Sequence, residues 1–171
     1  MNRRYVALAT FGTGRFWYSQ QIFDQVEGVN KSWAGYTGGH TQNPTYEDVC
    51  TGDTGHAEVV HLEFDPTVVT YETLLDIFWE IHDPTQLNRQ DKDIGTQYRS
   101  AIFTHDEYQA RVARESKAAK DASGKYEEPI VTTIQPAPTF WEAEDYHQKY
   151  KERLDIRSWM ADLFVKRKKK K

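Results

Sequence analysis

Residues 4–28 read RYVALATFGTGRFWYSQQIFDQVEG, and the reading of this stretch decides the fold. Residues 4–11 form a largely apolar run of strand length and are expected to be a buried strand. Gly12-Thr13-Gly14 then breaks the run as a glycine loop. From Arg15 to about Glu27, Phe16, Phe23 and Val26 recur at helical spacings, and Gly28 stands where a helix would stop. A strand, a glycine loop and a helix in immediate succession open a layered arrangement of sheet and helices.

Working outward, residues 31–36 suit a short strand, and the Gly-, Thr-, Asn- and Asp-rich segment 38–55 reads as loop. EVVHLEF at 58–64 is a strand turned by Asp65-Pro66. Thr70 caps a helix through about Ile81, whose apolar face carries Leu74, Leu75, Ile77 and Phe78. A polar loop over 84–97 leads to a strand at 98–104. A charged amphipathic helix follows from about Asp106 to Ala122, ended by Gly124. Residues 130–135 read as a strand, and the region after Thr139 is helical in composition. This alternation predicts an α/β or α+β fold with a central mixed β-sheet flanked by helices. One domain is expected over 1–157, with 158–171 as a helix end and a basic tail, VKRKKKK, read as solvated.

The 171 residues suffice to bury a sizeable core. A formal net charge of -4 argues against a nucleic-acid-binding body. No apolar run reaches membrane-spanning length, and the apolar stretch near the N-terminus is too short for a signal peptide. A single cysteine, Cys50, rules out an internal disulfide and any dithiol cycle within one chain. A cytoplasmic monomer is expected, with a small-molecule ligand and without membrane or nucleic-acid partners. Cys50 itself reads as a small buried hydrophobe. His56, His61, His82 and His147 lack metal-ligand spacing, so they read as structural or surface residues, and neither a metal nor another cofactor is expected.

The loops carry a resemblance. Thr10-Phe11-Gly12-Thr13-Gly14 with Phe16-Trp17 resembles the G-C-F-W-G loop of the type A methionine sulfoxide reductases. Gly35-Tyr36-Thr37-Gly38-Gly39, Asn43-Pro44-Thr45-Tyr46 and Gly55-His56-Ala57-Glu58 are similar to further blocks of that family. So are Phe78 to Gln86, Gly95 to Ser100 and Ala143 to His147, in the family's order. The resemblance covers roughly residues 5–150 and implies the family's ferredoxin-like fold.

It also implies a chemistry. A thiolate at a helix N-terminus attacks the sulfur of a methyl sulfoxide. A carboxyl of raised pKa protonates the departing oxygen, phenols hold that oxygen, and aromatic rings accept the S-methyl group. Carried over by position, Glu58 is the acid, Tyr46 and Tyr98 are the phenols, Phe16 and Trp17 form the methyl pocket, and Asp93 lines the site. Arg15 stands where the family has its attacking cysteine, and Tyr18 where it usually has glycine. A guanidinium stays protonated and cannot act as the nucleophile.

Two readings are therefore favoured. One is a repurposed pocket running non-redox acid–base chemistry, in which Arg15 binds an anionic group and pairs with Glu58, keeping it ionised as a base. The other is a module that binds a sulfoxide without reducing it. A reductase with a substituted nucleophile ranks third, and thioredoxin is not expected as a partner. The direction of Arg15 decides among them: inward, it belongs to a new site; outward, it leaves a vestigial one.

Overall fold

The computed structural model describes residues 6–149; the basic tail and the boundary placed near residue 157 lie outside them. In chain order the elements are β1 (Ala7–Thr13), α1 (Phe16–Asp24), β2 (Val29–Thr37), α2 (Tyr46–Cys50), β3 (Ala57–Phe64), α3 (Tyr71–Glu80), β4 (Arg89–Gln90), β5 (Asp93–Ile94), β6 (Ser100–Thr104), α4 (Glu107–Ala122), β7 (Thr133–Pro136) and β8 (Trp141–Glu142). Single 3-10 turns span Thr96–Tyr98 and Asp145–His147.

The main sheet runs β7-β6-β1-β3-β2-β8. Its inner run, β6-β1-β3-β2, is antiparallel throughout. With α1 linking β1 to β2 and α3 linking β3 to β6, this is the βαββαβ, ferredoxin-like arrangement. β7 joins parallel to β6 after the α4 crossover, which makes the sheet mixed.

Period-two alternation along the strands sorts the two faces. Phe11, opposite Val60, turns to the helices and packs against Phe23, Tyr71 and Phe78 with ring centroids 5.5, 6.0 and 5.3 Å away. Leu74, Leu75, Ile77 and Phe78, the face expected of the third helix, are all fully buried there. On the other face Ala57, Val59, Ala101 and Phe103 lie beneath Ala137 and Phe140. Gly35 is required at this crossing, because a Cβ there would meet both the Phe140 ring and the Trp141 carbonyl at 2.4 Å.

Four segments depart from the expectations. The loop over 38–55 holds a one-turn helix, α2, secured by a capping box between Thr45 and Asp48. The loop over 84–97 contains the β4–β5 hairpin, turned by Asp91 at φ 54°. Beyond Thr139 the described chain is not α-helical and has only the 3-10 turn at Asp145–His147. β8 pairs with β2, and the Gln148 side chain bonds both the N–H and the C=O of Ala34 at 2.9 Å, so this backbone completes the sheet edge. The strand expected at 130–135 lies at Thr133–Pro136, shifted because β7 takes its register from β6.

Three of the four histidines are structural as expected. His56 accepts the Gly39 N–H and contacts the Thr41 carbonyl, while His61 and His105 share the Thr10 hydroxyl. His82 spans the Phe78 carbonyl and the Ser100 hydroxyl, and burial lowers its pKa to about 4.

Candidate active site

The site forms where β1 turns into α1. Gly14 takes φ +98° there, and a Cβ on it would sit 2.8 Å from the Cβ of Gln90. The positive φ lets the chain reverse between strand and helix while the β4–β5 hairpin packs against it.

Arg15 is the N-cap residue of α1 but makes no side-chain cap bond. The first turn of a helix leaves backbone N–H groups without partners. Glu58, on β3 opposite Tyr36, supplies one: the Phe16 N–H donates to Glu58 Oε1 at 3.3 Å. The second carboxyl oxygen, Oε2, is buried with no hydrogen-bond partner. Burial raises the Glu58 pKa to about 8, against the opposing pull of the Phe16 N–H and the Arg15 charge. Desolvation of the charged form wins, so Glu58 is largely a protonated acid at neutral pH.

Arg15 does not pair with Glu58, contrary to expectation. Its Nε lies 2.8 Å from Asp93 Oδ2, and that bond is the main reason its pKa is raised. The guanidinium carbon stands 5.3 Å from the centroid of the Trp17 ring and 5.7 Å from that of Tyr98. Arg15 therefore points neither to the carboxyl nor into open solvent. It lies along the rim, held by a hairpin carboxylate and by ring faces that attract a cation. Tyr18 is half exposed and lines a cavity of about 420 Å³ with Arg15, Asp93 and Gln90.

Behind the rim is an aromatic cluster. Phe16 is buried, with Tyr36 at 5.7 Å and His147 at 5.2 Å between ring centroids. Trp17 Nε1–H donates to His147 Nδ1 at 3.0 Å, and Tyr46 lies 4.4 Å from the His147 ring centroid. An indole nitrogen only donates, so His147 Nδ1 is the acceptor. Burial lowers the His147 pKa, so the ring is neutral with its proton on Nε2, which faces Glu144 Oε2 at 3.8 Å. His147 thus belongs to the site and not to the surface. Glu144 organises the same region, accepting the Tyr46 backbone N–H at 3.3 Å and the Tyr36 hydroxyl at 3.4 Å. In the sequence His147 reads only as a structural or surface histidine and Glu144 carries no signal of its own, although both lie in the Ala143 to His147 block.

Burial, then a hydrogen bond with Cys50, raises the Tyr46 pKa. Burial, then the charge on Glu58, raises that of Tyr98. Both therefore remain phenols that can donate. Cys50 is exposed, which corrects its reading as a small buried hydrophobe. Among the described residues, no group of three or more His, Cys, Asp or Glu could hold a metal ion.

The fold thus gathers a helix N-terminus, a protonated carboxyl, two phenols and an aromatic cluster around one place. A family model described as "Peptide methionine sulfoxide reductase" matches residues 7–171, and the chain belongs to that family. The peptide methionine sulfoxide reductase MsrA of Methanothermobacter thermautotrophicus is 59% identical over 145 residues, covering 85% of this chain and 86% of the relative. Methionine sulfoxide reductase A of Corynebacterium diphtheriae superposes with a TM-score of 0.80 at 38% identity, covering 91% of this chain and 78% of that structure. Reduced Mxr1 from Saccharomyces cerevisiae superposes with a TM-score of 0.83 at 32% identity, covering 90% and 88%.

These likenesses overturn the two favoured readings. Relatives at 51% to 59% identity carry the MsrA description, which supports an ordinary sulfoxide reductase in place of a repurposed pocket or a binding-only protein. The geometry agrees, because the Arg15–Glu58 pair on which the base chemistry depended is not formed. The exclusion of a thioredoxin partner loses its support as well, since Mxr1 has also been solved in complex with Trx2. Among the described residues, no helix is long and apolar enough to cross a membrane.

Proposed function

We propose that this chain reduces methionine sulfoxide, free or within peptides, to methionine. The observation that carries this reading is Glu58: a buried carboxyl, protonated at neutral pH, with one oxygen on the helix and the other unpartnered. A sulfoxide oxygen must gain a proton as its bond to sulfur breaks, and a carboxyl of raised pKa is suited to give it.

In this reading the oxygen lies between Glu58 and the hydroxyls of Tyr46 and Tyr98, which polarise it as negative charge develops. The S-methyl group rests on Phe16 and Trp17, where a soft sulfur group meets aromatic faces. Asp93 and Arg15 form the rim, with Tyr18 beside them. Asp93 anchors the guanidinium, so that the cation lies across the entrance and the carboxyl stays protonated. An external dithiol closes the cycle, and a thioredoxin is a fitting class of donor, given the complex formed by Mxr1. Such a donor suits a reducing, cytoplasmic setting.

The test is direct. Each sulfoxide epimer of methionine is incubated with the protein and dithiothreitol, and thioether formation is followed by chromatography. Consumption of one epimer is expected, and its loss in Glu58→Gln supports the assigned acid. If neither epimer yields thioether, the reading is wrong.

A further inference from the structure

Resting on the methyl pocket assigned in the reading above, we infer that His147 is a positioning residue for that pocket: it holds the Trp17 indole by accepting its N–H, and it releases the indole when a proton occupies Nδ1. The two nitrogens of the ring are in contrasting states. Nδ1 accepts Trp17 Nε1–H at 3.0 Å. Nε2 is buried with no hydrogen-bond partner, in a residue only 1% exposed. Glu144 Oε2 lies 3.8 Å from it, beyond hydrogen-bond reach. A buried donor left without a partner is rare in a folded protein and costly to keep.

The ring is placed to act on the pocket. It stacks on Trp17 with centroids 5.7 Å apart and 26° between planes, and it meets Phe16 at 5.2 Å and Tyr46 at 4.4 Å. It therefore touches both rings assigned to the S-methyl group and one phenol assigned to the oxygen. Phe16 is fully buried, whereas Trp17 is only half-buried, so the indole depends more on its hydrogen bond for its orientation.

A proton on Nδ1 removes the acceptor and sets two N–H groups against each other, so the indole must move away. The same proton makes the ring a cation, whose Nε2–H can close on Glu144 as a charge-assisted bond. Glu144 is already held in place by the Tyr46 backbone N–H and by the Tyr36 and Tyr146 hydroxyls. Among the described residues, the groups around the ring are Phe16 and Trp17 from α1, Tyr46 from α2, and Glu144 and Tyr146 from its own turn. Both tyrosines have raised pKa values, so the charge that acts on His147 is that of Glu144. Burial opposes the proton and outweighs Glu144, which favours it, so the change falls on the acid side of the ordinary histidine value of 6.5. Glu58 keeps its own proton there, so acid loosens the methyl pocket and leaves the proton donor in place.

The experiment follows the indole N–H signals of the 15N-tryptophan-labelled protein from pH 8 to pH 5. The Trp17 signal is identified by its loss in Trp17→Phe. The Trp79 indole, which donates to the Ser116 hydroxyl at 2.7 Å, is the reference that does not titrate and reports the fold. As pH falls below 6.5, the Trp17 signal should shift toward that of a free indole. Dimethyl sulfoxide and methionine sulfoxide should then bind roughly fivefold more weakly, the scale of one lost hydrogen bond. In His147→Gln, whose amide oxygen accepts but does not titrate, signal and affinity should stay constant with pH. In His147→Phe, which keeps a ring without an acceptor, the indole should be free and binding weak at every pH. KM should follow affinity, with kcat little changed. A Trp17 signal that ignores pH in the unaltered protein, a pH response kept in His147→Gln, or an affinity unchanged while the indole bond is lost each overturns the role. If the indole and both sulfoxides behave as expected but no thioether forms with dithiothreitol, the positioning role stands and the reductase reading falls.

Discussion

Arg15 is tied to Asp93, at 2.8 Å from Nε to Oδ2, and not to the carboxyl of Glu58 near the start of β3. The two partners act on Glu58 in opposite senses, Arg15 lowering its pKa and Asp93 raising it. Arg15→Gln should therefore move the alkaline limb of the activity profile upward, and Asp93→Asn should move it downward. Profiles of kcat/KM against pH for the two variants check this. Limbs that move in the same direction would refute the arrangement.

Arg15→Cys tests how far the rest of the site has kept the family's geometry. It places a thiol at the N-cap of α1, beside the Phe16 N–H and Glu58. Sulfoxide turnover with dithiothreitol should rise above that of the unaltered protein, and it should survive the added change Cys50→Ser.

Glu58 also links stability to pH. Its folded pKa of about 8 lies above the ordinary carboxylate value of 4.5. The folded state therefore holds a proton that the unfolded state has lost, and stability falls as pH rises between those values. The penalty is on the order of a few kcal/mol and is complete above the folded pKa. Glu58→Gln removes it, so the variant should be more stable than the unaltered protein at pH 8 and little different at pH 4, as read by urea denaturation. Its turnover should drop by roughly 100-fold or more, the scale of a lost general acid.

Tyr46→Phe and Tyr98→Phe each remove one hydroxyl from the proposed oxygen position. Either should cost about 100-fold in kcat with a smaller change in KM, as for an interaction that strengthens in the transition state.

His147→Ala should open the aromatic cluster, because its ring touches Phe16, Trp17 and Tyr46 and accepts the Trp17 indole N–H. KM for methyl sulfoxides should rise, and the melting temperature should fall as for a buried large-to-small change costing about 2 kcal/mol or more. Turnover per bound substrate should change less, which steady-state kinetics resolves.

Much was legible in the sequence itself. Phe11, Leu74, Leu75 and Phe78 could be assigned to the core because helix and strand periodicities follow from local backbone geometry. Phe16, Trp17, Tyr46, Glu58, Asp93 and Tyr98 could be named because the family resemblance lies in contiguous blocks. The absence of a nucleophile at residue 15 was equally plain, since a guanidinium stays protonated whatever surrounds it. What Arg15 does could not be read, because its direction depends on Asp93, brought in by a hairpin far along the chain. The places of His147 and Glu144 depended on β8 docking against β2, where composition alone had suggested helix. Whether Glu58 is protonated or ionised, and whether Cys50 is buried or exposed, were decided by desolvation and by the packing of distant segments. These are properties of the assembled protein, and no local pattern carries them.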